Sequence, residues 1–351
     1  MTLARKSQIA RAIARSVGFD LAGVTVAGRV PQSEYYRNWL ANRYHGSMEY
    51  MRRNVELRED PGRLLDGSRS ILCVALNYKR DQHEPSNPAH TPTGRVAQYA
   101  RGADYHGVMK RMLAEVAERM RREINEPFEH RAFVDTGPLL ERALAAAAGL
   151  GWVGKNTLLM HEEIGSFLFL GELITTLEMA PDTPVPDHCG SCTRCLDACP
   201  TAAFPEPYRL DASRCISYFT IEHRGEVPAE FQHAIGDWVF GCDICQDVCP
   251  HNTHAPTVNN EALAERRVPE RIDLVDLLQM TSGDHKRLTR GAATSRAKRS
   301  MWRRNAAIAL GNAKPAEDRS RDALAAAAQD DDALVSTAAK SALRRADDST
   351  V

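Results

Sequence analysis

At 351 residues the chain is longer than one hydrophobic core usually organises, so two or three domains are expected. Its 43% apolar and 26% charged residues are ordinary for a globular protein, and its net charge of −1 gives no global attraction for a polyanion. No run reaches the roughly 20 apolar residues of a transmembrane helix. Residues 1–17 lack the continuous apolar segment of a secretion signal, so a cytoplasmic protein is expected.

The elements follow in chain order. Residues 1–17 are Arg-rich, but Ile9, Ile13 and Val17 at four-residue spacing predict an amphipathic helix rather than a transit peptide. Residues 22–26 and 71–76 read as short buried strands, 107–124 and 139–150 as helices, and 167–177 as another strand. The polar stretch 79–95, with Pro85, Pro88 and Pro92, reads as an exposed loop. This alternation predicts a layered α/β arrangement within an α+β fold. Pro181, Pro184 and Pro186 mark a boundary before a cysteine-rich segment. Beyond that segment, 301–312, 319–328 and 333–345 are Ala-rich helices, fitting HEAT-type repeats or a plain helical cap equally well. The expected domains are 1–185, 186–260 and 261–351.

Of nine cysteines, Cys73 stands alone in an apolar strand and reads as a buried, inert thiol. The other eight are clustered, which without a secretion signal argues for metal over disulfides. Cys189, Cys192, Cys195 and Cys199, followed by Pro200, make the C-x2-C-x2-C-x3-C-P run of two-cluster ferredoxins. In that pattern three closely spaced thiolates wrap one cubane and the fourth serves the other cluster. The second run, Cys242, Cys245 and Cys249 before Pro250, is one cysteine short, and upstream Cys215 is the natural replacement. The spacing therefore assigns Cys189, Cys192, Cys195 and Cys249 to one [4Fe–4S] cluster. Cys199, Cys215, Cys242 and Cys245 go to the second. Four-cysteine zinc sites also use C-x2-C pairs, but the third close cysteine and paired Cys-Pro endings favour cubanes. Such a module moves electrons and chooses no substrate, so an acceptor belongs in the large N-terminal part.

One segment breaks the charge balance. Lys286, Arg287, Arg290, Arg296, Lys298, Arg299, Arg303 and Arg304 fall within 19 residues that contain no acid. The run reads as a phosphate-contacting surface, or more simply as a solvated helix face. Asp135 follows an apolar strand and precedes Thr-Gly-Pro and a helix, a strand-to-helix edge that often hosts sites. It equally suits a turn or capping aspartate before Pro138.

The segments Phe133–Ala143 and Gly151–Leu158 are distinctive, as are His45–Met51, Arg58–Pro61, Tyr99–His106 and Cys215–Glu222. With both cysteine runs and Arg304–Asn312, they make a chain that resembles the epoxyqueuosine reductases over nearly its whole length. These are cobalamin-dependent iron–sulfur enzymes that complete queuosine in tRNA. The resemblance implies a cobalamin-binding catalytic domain, a ferredoxin-like module with two [4Fe–4S] clusters, and a helical HEAT-like domain contacting tRNA. It implies reduction of an epoxide to an alkene, with electrons passing through the clusters to cobalamin and Asp135 as proton donor. A carboxyl held against a corrin face, away from water, would have a raised pKa and could deliver a proton near neutral pH. Arg58, Lys155, Asn156 and Ser217 are the implied cofactor contacts, and Tyr218 and Phe219 are stacking candidates for a loop base. The chain has no Asp-x-His-x-x-Gly motif, so a lower histidine ligand of that type is not expected. The expected partners are the epoxyqueuosine-bearing anticodon stem-loop and a separate electron donor; a monomer is expected. A reductive dehalogenase-like enzyme is one competing reading, but it leaves the basic run unexplained. A ferredoxin-type carrier is another, but it has no use for Asp135.

Overall fold

The computed structural model describes residues 1–81, 92–313 and 318–348. Most of the expected loop at 79–95, with Pro85 and Pro88, lies outside them. Helix α1 (Leu3–Val17) starts on Thr2, whose side chain accepts from the Arg5 amide, and stops at Gly18 in the left-handed conformation. Strands β1 (Leu21–Val26) and β2 (Ser70–Asn77) follow, then β3 (Thr93–Val96) and α2 (Tyr105–Ile124). Next come β4 (His130–Phe133), α3 (Glu141–Ala147), the short hairpin β5 (Trp152–Val153) and β6 (Leu159–Met160), and β7 (Leu168–Thr175). The cysteine segment carries two single-turn helices, α4 (Arg194–Asp197) and α5 (Ile244–Asp247), with β8 (Trp238–Phe240) between them. The C-terminal part contains β9 (Arg271–Asp273), α6 (Leu274–Leu278) and α7 (Ser282–Thr289). It ends with α8 (Arg299–Asn312), α9 (Asp318–Ala327) and α10 (Ala333–Asp348).

The main sheet is antiparallel throughout, in the order β1-β2-β7-β4. Strand β2 is buried on both faces, which is why its sequence is an unbroken apolar run. Its alternate side chains serve two cores. Leu72, Val74 and Leu76 pack under α1 and α2, while Ile71, Cys73 and Ala75 face α3. The result is the layered helix–sheet–helix arrangement anticipated from the alternation. Cys73 is fully buried, and burial pushes its thiol well above the ordinary value. Helix α3 is shorter than its apolar pattern: Ala148 caps it, and Gly149 follows with φ +75°.

A second sheet, β8-β3-β9, takes one strand from each of the three sequence segments. Its core continues into α6, α8, α9 and α10, so the cysteine segment and the helical tail share one hydrophobic interior. Arg304, at the centre of α8, is 0% exposed. It donates to the carbonyls of Phe219 and of His223 and Gly225, the last two at 2.7 Å. Asn305 beside it reaches the carbonyls of Thr220 and Val239 at 3.0 and 2.8 Å. Helix α8 thereby fixes the backbone just downstream of Cys215.

Candidate active site

The eight clustered thiols sort into two sets by their mutual electrostatic interactions. Cys195 interacts with Cys249, Cys189 and Cys192, and Cys249 interacts with Cys189 and Cys192. Cys245 interacts with Cys242, Cys215 and Cys199; Cys242 and Cys215 interact with each other or with Cys199. Two groups of four thiols, all of intermediate exposure, suit a pair of cubanes.

The turn joining β5 to β6 wedges between the two cysteine loops. Lys155 Nζ donates to the carbonyls of Gly190 and Cys192 at 2.6 and 3.0 Å, and Asn156 reaches the Cys245 carbonyl at 3.4 Å. Both side chains therefore brace the cysteine loops. Arg58 is buried and reaches the Leu139 carbonyl at 3.4 Å, beneath the segment that carries Asp135. Its Nε has no partner among the described residues. Ser217 lies two residues after Cys215 and favours the ionised form of its thiol.

Asp135 lies where β4 leaves the sheet edge, with φ +58°, a left-handed conformation that aspartate tolerates better than most residues. Its amide donates to Glu141 Oε1 at 2.6 Å. Opposite is the start of α2, capped by Asp104. Tyr105 stacks on Phe169 at 4.1 Å, and His106 stacks on Tyr105 at 4.1 Å. The His106 ring is thus held with Nε2 3.1 Å from Asp135 Oδ2 and Nδ1 2.7 Å from Asp104 Oδ1. His106 closes the distinctive Tyr99–His106 segment, but nothing in the sequence gives it a role. Only the tertiary fold, which sets α2 against the end of β4, reveals one.

The expected rise belongs to a carboxyl held against a corrin face; among the protein's own groups Asp135 is not raised. Crowding by protein atoms pushes its carboxyl up, but the His106 hydrogen bond and charge, with Tyr105 and Arg296, outweigh it and the net shift is downward. His106 is raised, chiefly by its hydrogen bond to Asp135 and against a smaller opposing effect of burial. The imidazole therefore holds its proton more tightly than an ordinary histidine, and the carboxyl gives its own up more readily than an ordinary aspartate.

A cavity of about 330 Å³ is lined by Ser47, Met48, Tyr50, Glu222, His223, Arg224, Gly225 and Arg296, of which Tyr50 and Arg296 interact electrostatically with Asp135. Its wall includes a π-helical turn, Tyr218–Glu222, three residues after Cys215. Tyr218 pins the opposite wall, its hydroxyl 2.9 Å from the Ser47 amide and 2.8 Å from Ser47 Oγ. The chain passes so close there that a Cβ on Gly46, whose φ is +57°, would meet the Tyr218 ring at 2.7 Å. Tyr218 and Phe219 are accordingly structural, buried residues and not free to stack on a base.

The basic run divides. Lys286, Arg287, Arg290, Arg296 and Lys298 are exposed and Arg299 is half-buried. Arg303 is buried, paired with Asp330 and donating to the Leu278 carbonyl at 2.7 Å. Arg303 and Arg304 thus face the interior, which removes them from any phosphate-contacting surface. Arg296 turns toward the cavity, bidentate to Glu222 at 2.8 and 2.9 Å and over the Tyr50 ring at 5.5 Å.

Two family models match: a 4Fe-4S double cluster binding domain over residues 188–252, and "Epoxyqueuosine reductase QueG, DUF1730" over 58–136. An epoxyqueuosine reductase of Xanthomonas campestris is 41% identical over 93% of this chain and 92% of its own length. The chain belongs to the epoxyqueuosine reductase family. The Escherichia coli member is 38% identical, over 85% of this chain and 78% of its own. A crystal structure of epoxyqueuosine reductase with an epoxyqueuosine-modified tRNA-Tyr stem loop matches with a TM-score of 0.90. It is 30% identical and covers 97% of this chain and 90% of that one. The Bacillus subtilis epoxyqueuosine reductase, in a structure with a catalytic aspartate loop swung out of the active site, matches with a TM-score of 0.87 at 30% identity. Among the described residues, no helix is long and apolar enough to cross a membrane.

Proposed function

We propose that this chain reduces epoxyqueuosine in the anticodon loop of tRNA to queuosine, with Asp135 delivering the proton. The observation that carries the reading is the Asp135–His106 pair, with Asp135 in electrostatic reach of Tyr50 and Arg296 on a cavity whose wall includes Glu222 from the turn after Cys215. Proton supply and electron supply thus converge in an epoxyqueuosine reductase framework. The reaction takes up two electrons and two protons: both epoxide C–O bonds break, a C=C bond forms, and the oxygen leaves as water. Electrons enter from a separate donor protein through the two cysteine sets, held by Cys189, Cys192, Cys195 and Cys249 and by Cys199, Cys215, Cys242 and Cys245.

The residues around Asp135 fit a corrinoid. Tyr50, Tyr105, His106 and Arg296 present hydrogen-bonding groups, and the partnerless Arg58 Nε lies under the same loop. Bound cobalamin supplies low-valent cobalt as the electron source at the epoxide carbon. The chain's own contribution is proton handling. Asp104 holds the His106 imidazolium, His106 reloads Asp135, and Asp135 protonates the departing oxygen. Lys155 and Asn156 keep the cysteine loops in register. Lys286, Arg287, Arg290 and Lys298 meet the phosphates of the stem-loop, with Arg299 at the margin.

The test is Asp135→Asn. Turnover of epoxyqueuosine-containing tRNA should fall about 10²–10⁴-fold, while the visible spectrum still shows both clusters and cobalamin. Full activity in the variant would place the proton donor elsewhere.

A further inference from the structure

Glu172 is a carboxyl at the centre of the main sheet. It is 0% exposed, on β7, paired across the strands with Cys73 on β2 and with Phe133 on β4, two residues before Asp135. Neither carboxyl oxygen meets a donor among the described residues. An ionised carboxylate in that position would be strongly unfavourable, so Glu172 is neutral and carries a proton. That proton needs an acceptor, and the facing group is the carboxyl of Glu141, at the start of α3. Glu141 in turn accepts the Asp135 amide at 2.6 Å. The three groups form a line from the sheet interior to the active-site loop.

We propose that fully buried Glu172 and half-buried Glu141 are an acid–carboxylate pair that positions Asp135: Glu172 donates its proton to Glu141, and the Glu141 carboxylate holds the Asp135 amide in its left-handed conformation. The proposal rests on the reading of Asp135 as proton donor. A charged acceptor binds an amide more strongly than a neutral one does. The hold is therefore firm while Glu141 is ionised and weakens when it is protonated. The other groups facing the pair agree with this assignment. Asp135 opposes a second negative charge, Arg142 and His106 favour one, and Cys73 stays neutral in its apolar strand. Burial, then the Asp135 charge, push Glu141 up to about 7, so the hold changes strength near neutral pH. Burial and the neighbouring Glu141 keep Glu172 well above the carboxylate range.

The experiment uses the cluster-loaded full chain and needs no turnover for its first two arms. Infrared difference spectra between wild type and Glu172→Gln at pH 8 should show a protonated-carboxyl C=O band that belongs to Glu172. Amide exchange in segment 134–140 should be about tenfold faster in Glu141→Gln than in wild type at pH 8, and the gap should close as pH falls below 7. In the third arm, Glu172→Gln, which keeps a neutral donor, should retain more turnover than Glu172→Leu. Absence of the carboxyl band at pH 8, or exchange in 134–140 that ignores Glu141→Gln at every pH, overturns the proposal. If Asp135 were not the donor, only the turnover arm would fail, so the two failures are distinguishable.

Discussion

Replacing His106 with Gln tests where the reaction's proton is stored. In the wild type the last proton leaves the Asp135–His106 pair at the raised value of the imidazole, so turnover should decline on the alkaline side of the ordinary 6.5. In His106→Gln the last proton belongs to Asp135, whose ordinary value is 3.8 and which burial alone would raise. The two ordinary values lie nearly three units apart, which sets a ceiling of about 500-fold loss at a fixed pH above both limbs. The burial of Asp135 narrows that gap, and the expected loss is about 10–100-fold at pH 7.5. The assay is single-turnover conversion of epoxyqueuosine-containing tRNA by pre-reduced enzyme across pH 5–9, with the alkaline limb moving to lower pH in the variant. An unmoved limb would falsify the storage role. Stability is the wrong readout here. Raised His106 contributes below its ordinary value and loses that contribution as pH rises through its folded value. Lowered Asp135 contributes above 3.8 and loses it as pH falls through its folded value. Together they help most at mildly acidic pH, but the Asp135 side chain is 57% exposed, so water screens the pair to about 1 kcal/mol or less.

Three other perturbations address the remaining parts. Cys215→Ser should leave roughly half the iron and one cluster's electron paramagnetic resonance signal, because it removes a ligand from only one of the two sets. Retention of both signals would reassign the fourth ligand. Arg304→Met deletes the donor to three carbonyls around the π-helical turn and should destabilise the chain by about 3–5 kcal/mol in denaturant titration. It should leave the salt dependence of tRNA binding unchanged. Changing Lys286, Arg290 and Lys298 together to Gln should weaken tRNA binding and reduce the slope of log K against log[salt] by about two to three. A slope equal to wild type would mean the stem-loop binds elsewhere.

The parts legible in the sequence are those whose physics is local. Cysteine spacing sets which thiols share a loop, and the missing member of the second run singles out Cys215 before any fold is known. The apolar runs of β2 and β7 and the four-residue spacing in α1 report burial directly. Charge was a poorer guide because it reports composition and not direction. The run ending in Arg303 and Arg304 reads as one basic surface, yet α8 rotates its last two cations into the core, where Arg304 donates to carbonyls after Cys215 and Arg303 to the Leu278 carbonyl. Lys155 and Asn156 mislead for a similar reason, since a Gly-Lys-Asn turn gives no sign that it inserts between two cysteine loops.

The proton chemistry was the least legible part, and its cause is specific. Asp135 alone, on a strand-to-helix edge, suggests a carboxyl raised by burial. Its actual state depends on His106, 29 residues earlier, and on Tyr105, whose stacking on Phe169 of β7 aims the imidazole. A raised aspartic acid and an aspartate reloaded by an imidazolium can deliver the same proton, but they place the alkaline limit of the reaction differently. The first stops where the carboxyl ionises. The second continues until the imidazole does, which extends turnover into the neutral range, the proton passing from His106 through Asp135 to the substrate. The fold therefore separates storage from delivery. The helix that carries His106 is anchored by its Asp104 cap and aromatic stack, and Asp135 sits on a short left-handed turn whose amide Glu141 accepts.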